Sequence, residues 1–395
     1  MTRSESPPLL SLILCSRNDR YMGNSKWRLE TALNYVAGRV EALGRERDVE
    51  VLVADWGSEI PLRDVVGLGP TAARIVSFVT VPPVLARDLQ RDSPFPEVLA
   101  LNTAARRARG EYIGRIDQDT LVGERFLRWF LDAVEGTRPW ADGAATPRAA
   151  LLFANRRSIP YRLAVCCPPL GVLERFIRWF GPRLRIETGS VFYHIDVGIW
   201  LLHREAWHAC GGYDERMIYM NDMEIDMVTR LMSKYPIVNL GELVDYDFYH
   251  LDHYHPWGSR SSATHRRVND GSPREVLGFQ PNGSDWGLAA SPLSVASQNV
   301  EQQSPVRRNA ARAFVDFPLF LLFSSYTALR LALDRLMYPI YPVWRRRARI
   351  AWATVRGQPL IRWPGLLRRI WIERPSAQAR SLGRPEIPYG NRADR

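Results

Sequence analysis

Cysteine is scarce in this sequence: Cys15, Cys166, Cys167 and Cys210 are the four in 395 residues, and none belongs to a Cys-x-x-Cys pair. So low a count points to a reducing compartment and excludes a disulfide framework. Lysine is also nearly missing, because the 53 basic residues are almost all arginine. No run suits a full bilayer crossing: the strongly apolar stretch from Phe314 to Leu329 has sixteen residues and contains Asp316 and Pro318. The apolar run Leu9 to Cys15 follows Pro7-Pro8 and lacks a small-residue cleavage site, so it is read as a first strand and not as a signal peptide. The turn after it, Ser16-Arg17-Asn18-Asp19, is not a glycine-rich phosphate loop, and no solenoid-length repeat is present.

What the chain does have is 46% apolar residues, enough to core one large domain or two smaller ones, and a net charge of +11. Arginine grips phosphate bidentately, so charge alone leaves nucleic acid, anionic lipid and a phosphorylated substrate open. Position decides among them. Much of the excess lies beyond Arg330, where Arg335 and Arg345-Arg346-Arg347 alternate with Tyr338, Tyr341, Trp344, Trp352 and Trp363. Arginine beside aromatics suits the headgroup layer of an anionic membrane surface, and a nucleic-acid partner is not expected.

Periodicity organises the first 120 residues. Leu9 to Cys15 is nearly continuous in apolar residues, as in a strand covered on both faces. Leu29, Leu33, Val36, Val40 and Leu43 mark an amphipathic helix from Lys26 to Leu43. Strands are predicted at Val49 to Ala54, ending in Asp55, and at Arg74 to Val79. A helix starts at Pro96 with Val98, Leu101, Ala105 and Ala108 inward and Gly110 as its stop, followed by the strand Glu111 to Ile116. This alternation predicts an α/β fold with a wound parallel sheet, and it sets Ser16, Asp55 and Asp117 along one edge. A helix is expected over Phe126 to Val134. Proline interrupts residues 136–195, read as the variable, substrate-facing part with a short helix at Leu173 to Phe180; order resumes at Val197 to His203.

The strand from Glu111 ends in Asp117-Gln118-Asp119, where α/β sheets place their ligands. Two carboxylates one residue apart offer hard oxygen ligands for Mg²⁺ or Mn²⁺. The same triplet also reads as a solvated turn with Asp117 capping the next helix.

Several segments together resemble the family 2 glycosyltransferases of the GT-A fold, over roughly residues 8–260. They are Leu12 to Asp19, Val51 to Trp56, Leu101 to Ile113 with the Asp-Gln-Asp, Gly211-Gly212-Tyr213-Asp214-Glu215, and Asn221-Asp222-Met223-Glu224. Composition marks a polar loop or linker over 266–305 and a helical, basic, membrane-associating region over 306–395; the resemblance implies a GT-A type, Rossmann-like wound sheet over residues 8–265. It implies transfer of a sugar from a nucleotide-diphosphate sugar, a UDP-sugar above all, to a hydroxyl on a glycan or lipid-linked acceptor, with inversion, at the cytoplasmic face of the cell membrane. Under it Asp119 holds a divalent metal, Mn²⁺ or Mg²⁺, and Asp117 lies near the ribose and the metal. Asp55 reads the uracil edge, and Ser16 and Arg17 line the nucleotide pocket. Asp222 takes the acceptor's proton, with Glu224 second.

On the residues alone, Asn221, Asp222 and Glu224 equally form a near capping box. His250, His253 and His255 stand in Asp247-Phe-Tyr-His-Leu-Asp-His-Tyr-His, and His250 or His253 resembles the family's late metal-binding histidine; the alternative is a polar loop with local hydrogen bonds. The Gln-x-x-Arg-Trp type motif of the processive synthases is missing, which favours single-sugar transfer. A catalytically silent nucleotide- or sugar-binding subunit of a polysaccharide assembly complex is the competing expectation.

Overall fold

The computed structural model describes residues 6–21, 23–138, 148, 150–187, 197–218, 223–253 and 282–298, and a few positions between Pro318 and Ala332. The chain divides into two compact units, Met1–Leu321 and Leu322–Arg395. In the second, Leu322, Ser325, Ala328, Leu329 and Ala332 are helical and exposed; the rest of the expected basic tail lies outside the described residues. No helix among the described residues is long and apolar enough to cross a membrane.

The first unit opens with β1 (Leu10–Ser16), α1 (Ser25–Leu43), β2 (Val49–Trp56), α2 (Leu62–Val65), α3 (Pro70–Ile75), β3 (Val76–Val81), α4 (Pro83–Gln90), α5 (Glu97–Arg107) and β4 (Tyr112–Arg115). β3, β2, β1 and β4 lie side by side, all parallel. The chain adds β2 and β3 on one side of β1 and then β4 on the other, so the winding reverses at the β1/β4 crevice. The strands are apolar on both sides because both faces are covered. Leu10, Leu12, Leu14, Val51, Val53 and Phe78 pack with α1 on one face, and Ile13, Leu52, Ala54, Val79 and Val81 pack with α5 on the other. Alternation with period two sorts them between the two cores. The predicted helix face is realised: Leu29, Leu33, Val36 and Val40 of α1 are at most 1% exposed, each burial contributing roughly 1.5–3 kcal/mol.

Next come β5 (Thr120–Val122), α6 (Glu124–Val134), β6 (Leu151–Asn155), β7 (Arg157–Ile159), α7 (Tyr161–Ala164), α8 (Leu170–Phe180), β8 (Val197–His203), α9 (Arg204–Ala209), α10 (Met223–Met232), β9 (Ile237–Asn239), β10 (Phe248–Leu251) and β11 (Ser294–Ala296). The main sheet runs β11-β3-β2-β1-β4-β8-β6-β9, and a second sheet runs β5-β10-β7. This mixed α/β architecture with a parallel-rich centre is the fold class expected from the sequence.

Three details differ from expectation. Arg74 and Ile75 belong to α3, which Pro70 starts at its first turn, so the third strand begins at Val76. Gly110 is not the stop of α5, which ends at Arg107. Its amide donates to Ser11 Oγ at 2.7 Å, and an added Cβ would stand 2.6 Å from the Ser11 nitrogen, so close approach to β1 explains the glycine. Within the stretch read as a linker, β11 pairs antiparallel with β3. Polar composition hid this strand because it lies at the exposed sheet edge.

Candidate functional site

β4 ends at Arg115, Ile116 still pairs with Ile13, and the amide of Thr120 closes a turn on Asp117 O at 3.1 Å. The Asp-Gln-Asp is therefore the turn that carries the chain from the main sheet into the small one. Ser16 ends β1 across the crevice, and its Oγ donates to Gln118 Oε1 at 2.6 Å. Ser16 and Asp55 are register partners, which sets them along one sheet edge.

Asp119 is buried where the two sheets meet. β10 pairs antiparallel with β5 so that His250 lies opposite Thr120. His250 Nε2 comes 3.7 Å from one Asp119 oxygen and His253 Nε2 3.4 Å from the other. The three ligand atoms lie within 4.8 Å of one another. The two imidazoles meet edge to face, with centroids 5.2 Å apart. Ligands about 2.1 Å from one ion stand about 3–3.5 Å apart, so this spacing fits a shared cation with little movement. Arg28 of α1, itself fully buried, donates through Nη1 to Asp119 Oδ2 and through Nη2 to Tyr21 O. Burial would raise the Asp119 carboxyl, but His250, Arg28, His253 and Arg156 outweigh it and hold it well below the usual carboxylate range.

Asp117 is held by two guanidinium groups, Arg115 at 2.8 Å and Arg156. Arg115 Nη2 also lies 2.8 Å from Glu97 at the start of α5 and 3.4 Å from Glu224 in the first turn of α10. Arg156 pairs through Nε with Glu187 at 2.7 Å, and the other Glu187 oxygen is 3.2 Å from His250 Nδ1. Burial pushes Glu224 up to about 7, with Arg115 opposing and Glu97 adding to the rise. Burial also works against Glu187, yet His250 and Arg156 hold its carboxyl far below the ordinary range. Five carboxylates thus face three guanidinium groups and two imidazoles in one connected network. Arg28 Nε and Arg115 Nε and Nη1 are buried without an acceptor among the described residues.

The other sequence candidates make local contacts. Asp55 is fully buried, and its oxygens accept from Ser58 Oγ and from the Leu62 amide at 2.7 Å, so it ties down its own loop. Arg17 donates to Asp19 at 2.8 Å and lies 5.5 Å over the Phe95 ring. Asp222 and His255 lie outside the described residues. The Gly-Gly-Tyr-Asp-Glu loop is clamped: Asn102 accepts from Tyr213 N and donates to its carbonyl, both at 2.9 Å, and Gly287 N donates to Glu215 at 2.7 Å. A hollow of about 630 Å³ at the far end of α10, lined by His208, Arg230, Lys234 and Trp286 among others, contains none of the predicted site residues.

Sequence reasoning missed Arg28, Glu97, Arg115, Arg156 and Glu187. Arg115 alone had a local signal, as a charge inside an apolar strand.

No protein-family model and no curated protein matches this chain. Among solved structures, S. aureus TarS 1–349 in complex with UDP is similar at 12% identity and a TM-score of 0.38, over 61% of this chain and 59% of that one. TarS 1–349 in complex with UDP-GlcNAc is similar at 12% identity and a TM-score of 0.38, over 63% and 61%. For S. aureus TarS itself the figures are 11% and 0.39, over 61% of this chain and 36% of that one. The chain therefore spans less than two thirds of the structures it matches.

Proposed function

We propose that the chain is a metal-dependent glycosyltransferase that moves a sugar from a UDP-sugar to a hydroxyl acceptor, with inversion, in glycan or glycolipid assembly. The observation that carries this reading is the meeting of Asp119, His250 and His253 at the strand-end rim beside the β1/β4 switch point. The donor set, one carboxylate and two imidazoles, fits a divalent cation. Two nitrogen ligands favour Mn²⁺ over Mg²⁺, which keeps to oxygen. When bound, such an ion neutralises charge growing on the departing diphosphate.

The rest of the chemistry falls to side chains. Ser16 and Asp117 frame the crevice proposed for the nucleotide. Asp222 is the proposed base. Glu224 has the proton affinity of a base at neutral pH, but at 3% exposure it is better suited to hold Arg115. The arginine- and aromatic-rich tail is proposed to rest on the anionic inner face of the cell membrane.

Incubating purified protein with a panel of UDP-sugars, an acceptor mixture and Mn²⁺ should release UDP, and Asp119→Ala should abolish release. Mn²⁺-dependent UDP binding with no release from any donor would favour the silent binding subunit instead.

A further inference from the structure

We propose that Glu187 is a positioning residue that turns His250 Nε2 toward Asp119 and, with its second oxygen, fixes Arg156 against Asp117. The inference rests on the proposed metal site at Asp119. An ionised carboxylate only accepts hydrogen bonds. Its 3.2 Å contact makes Nδ1 the donor nitrogen, so that in the neutral ring the lone pair is on Nε2, which faces Asp119 at 3.7 Å. Only an unprotonated imidazole nitrogen can bind a cation, so the tautomer decides whether His250 is a ligand at all.

The backbone holds Glu187 in place for this task. Its amide donates to Arg156 O at 2.8 Å, Ser158 N donates to Arg185 O at 3.0 Å, and Ile186 bridges to Arg157, so the segment lies as a short third edge along β7. β10 pairs parallel with that strand, His250 opposite Ser158. Glu187 consequently reaches the outer side of the imidazole while Asp119 faces the inner side. Through Arg156 Nε, at 2.7 Å, the same carboxylate links the two ends of the Asp-Gln-Asp turn. Outer carboxylates of this kind typically raise metal affinity about 10–100-fold.

The test uses the full chain without nucleotide. Mn²⁺ binding is measured by calorimetry for wild type, Glu187→Gln, Glu187→Ala and His250→Ala, and the His250 tautomer is read from imidazole ¹⁵N shifts in metal-free protein. Glu187→Ala should weaken Mn²⁺ about 10–100-fold and lose the Nδ1–H tautomer, with Glu187→Gln in between because its carbonyl still accepts from Nδ1. Wild-type Mn²⁺ affinity in both Glu187 variants, with His250→Ala impaired, overturns the proposal and leaves the metal site standing. If wild type binds no Mn²⁺, the metal reading fails, and the tautomer alone decides: the same tautomer with and without Glu187 overturns the positioning role. Should Glu187→Ala not fold, Glu187→Gln supplies the same comparison.

Discussion

Arg28 donates to Asp119 between two side chains that are 0% and 5% exposed, across 91 residues of sequence. A buried pair of this kind is costly to break on one side, because the survivor keeps its charge without a partner. It also places a positive charge beside the proposed cation ligand, so Arg28 and the proposed metal ion would compensate the same carboxylate.

Replacing Arg28 with Met should therefore lower the unfolding free energy by about 3–5 kcal/mol in a urea titration. Added Mn²⁺ should return part of the loss by binding the folded state. A change under about 1 kcal/mol would show that the pair does not hold α1 to the Asp-Gln-Asp turn.

Glu224 sets a pH dependence. Its folded value of about 7 lies above the ordinary 4.5, so its contribution is full below about pH 4.5 and is lost as the pH rises through about 7. The loss is roughly 3 kcal/mol at most. Urea midpoints of metal-free protein should fall between pH 5 and 7.5, and Glu224→Gln should flatten that slope; an unchanged slope would assign it to other groups.

Two glycines should respond in opposite directions. Gly110→Ala drives a Cβ into the Ser11 backbone and should cost about 1–3 kcal/mol. Gly38→Ala, in α1 with nothing within 4 Å of the new atom, should stabilise by about 1 kcal/mol. Thermal melts of the two variants check both signs.

Asn102→Ala leaves the buried Tyr213 amide without its acceptor and should cost about 1–3 kcal/mol. Asn102→Asp should do no better, since its carboxylate would face the Tyr213 carbonyl and Glu215 Oε1, which now accept from the amide nitrogen. Equal melting temperatures for wild type and Asn102→Asp would refute the clamp.

The wound core was legible because it is written in local period. Leu10, Leu12 and Leu14 alternate with Ile13 in β1, and α1 repeats every three or four residues. Such patterns need no knowledge of distant contacts. The edge strand β11 carries no such pattern: Ser294 and Val295 are exposed, and only pairing with β3 makes the segment a strand.

The residues by themselves determined that a wound sheet would deliver Asp117 and Asp119 to a strand end; only the family resemblance, and not their own pattern, named His250 and His253 as companions. Tertiary structure alone decided which charges answer those carboxylates. Arg28 sits on an amphipathic helix, where a charge ordinarily faces solvent, and Glu187 follows a proline-interrupted stretch with no period at all. Their partners are supplied by the packing of α1 on β5 and by the register of β10 between β5 and β7. Burial then makes pairing obligatory, because an ionised group taken out of water persists only where an opposite charge or a hydrogen bond meets it.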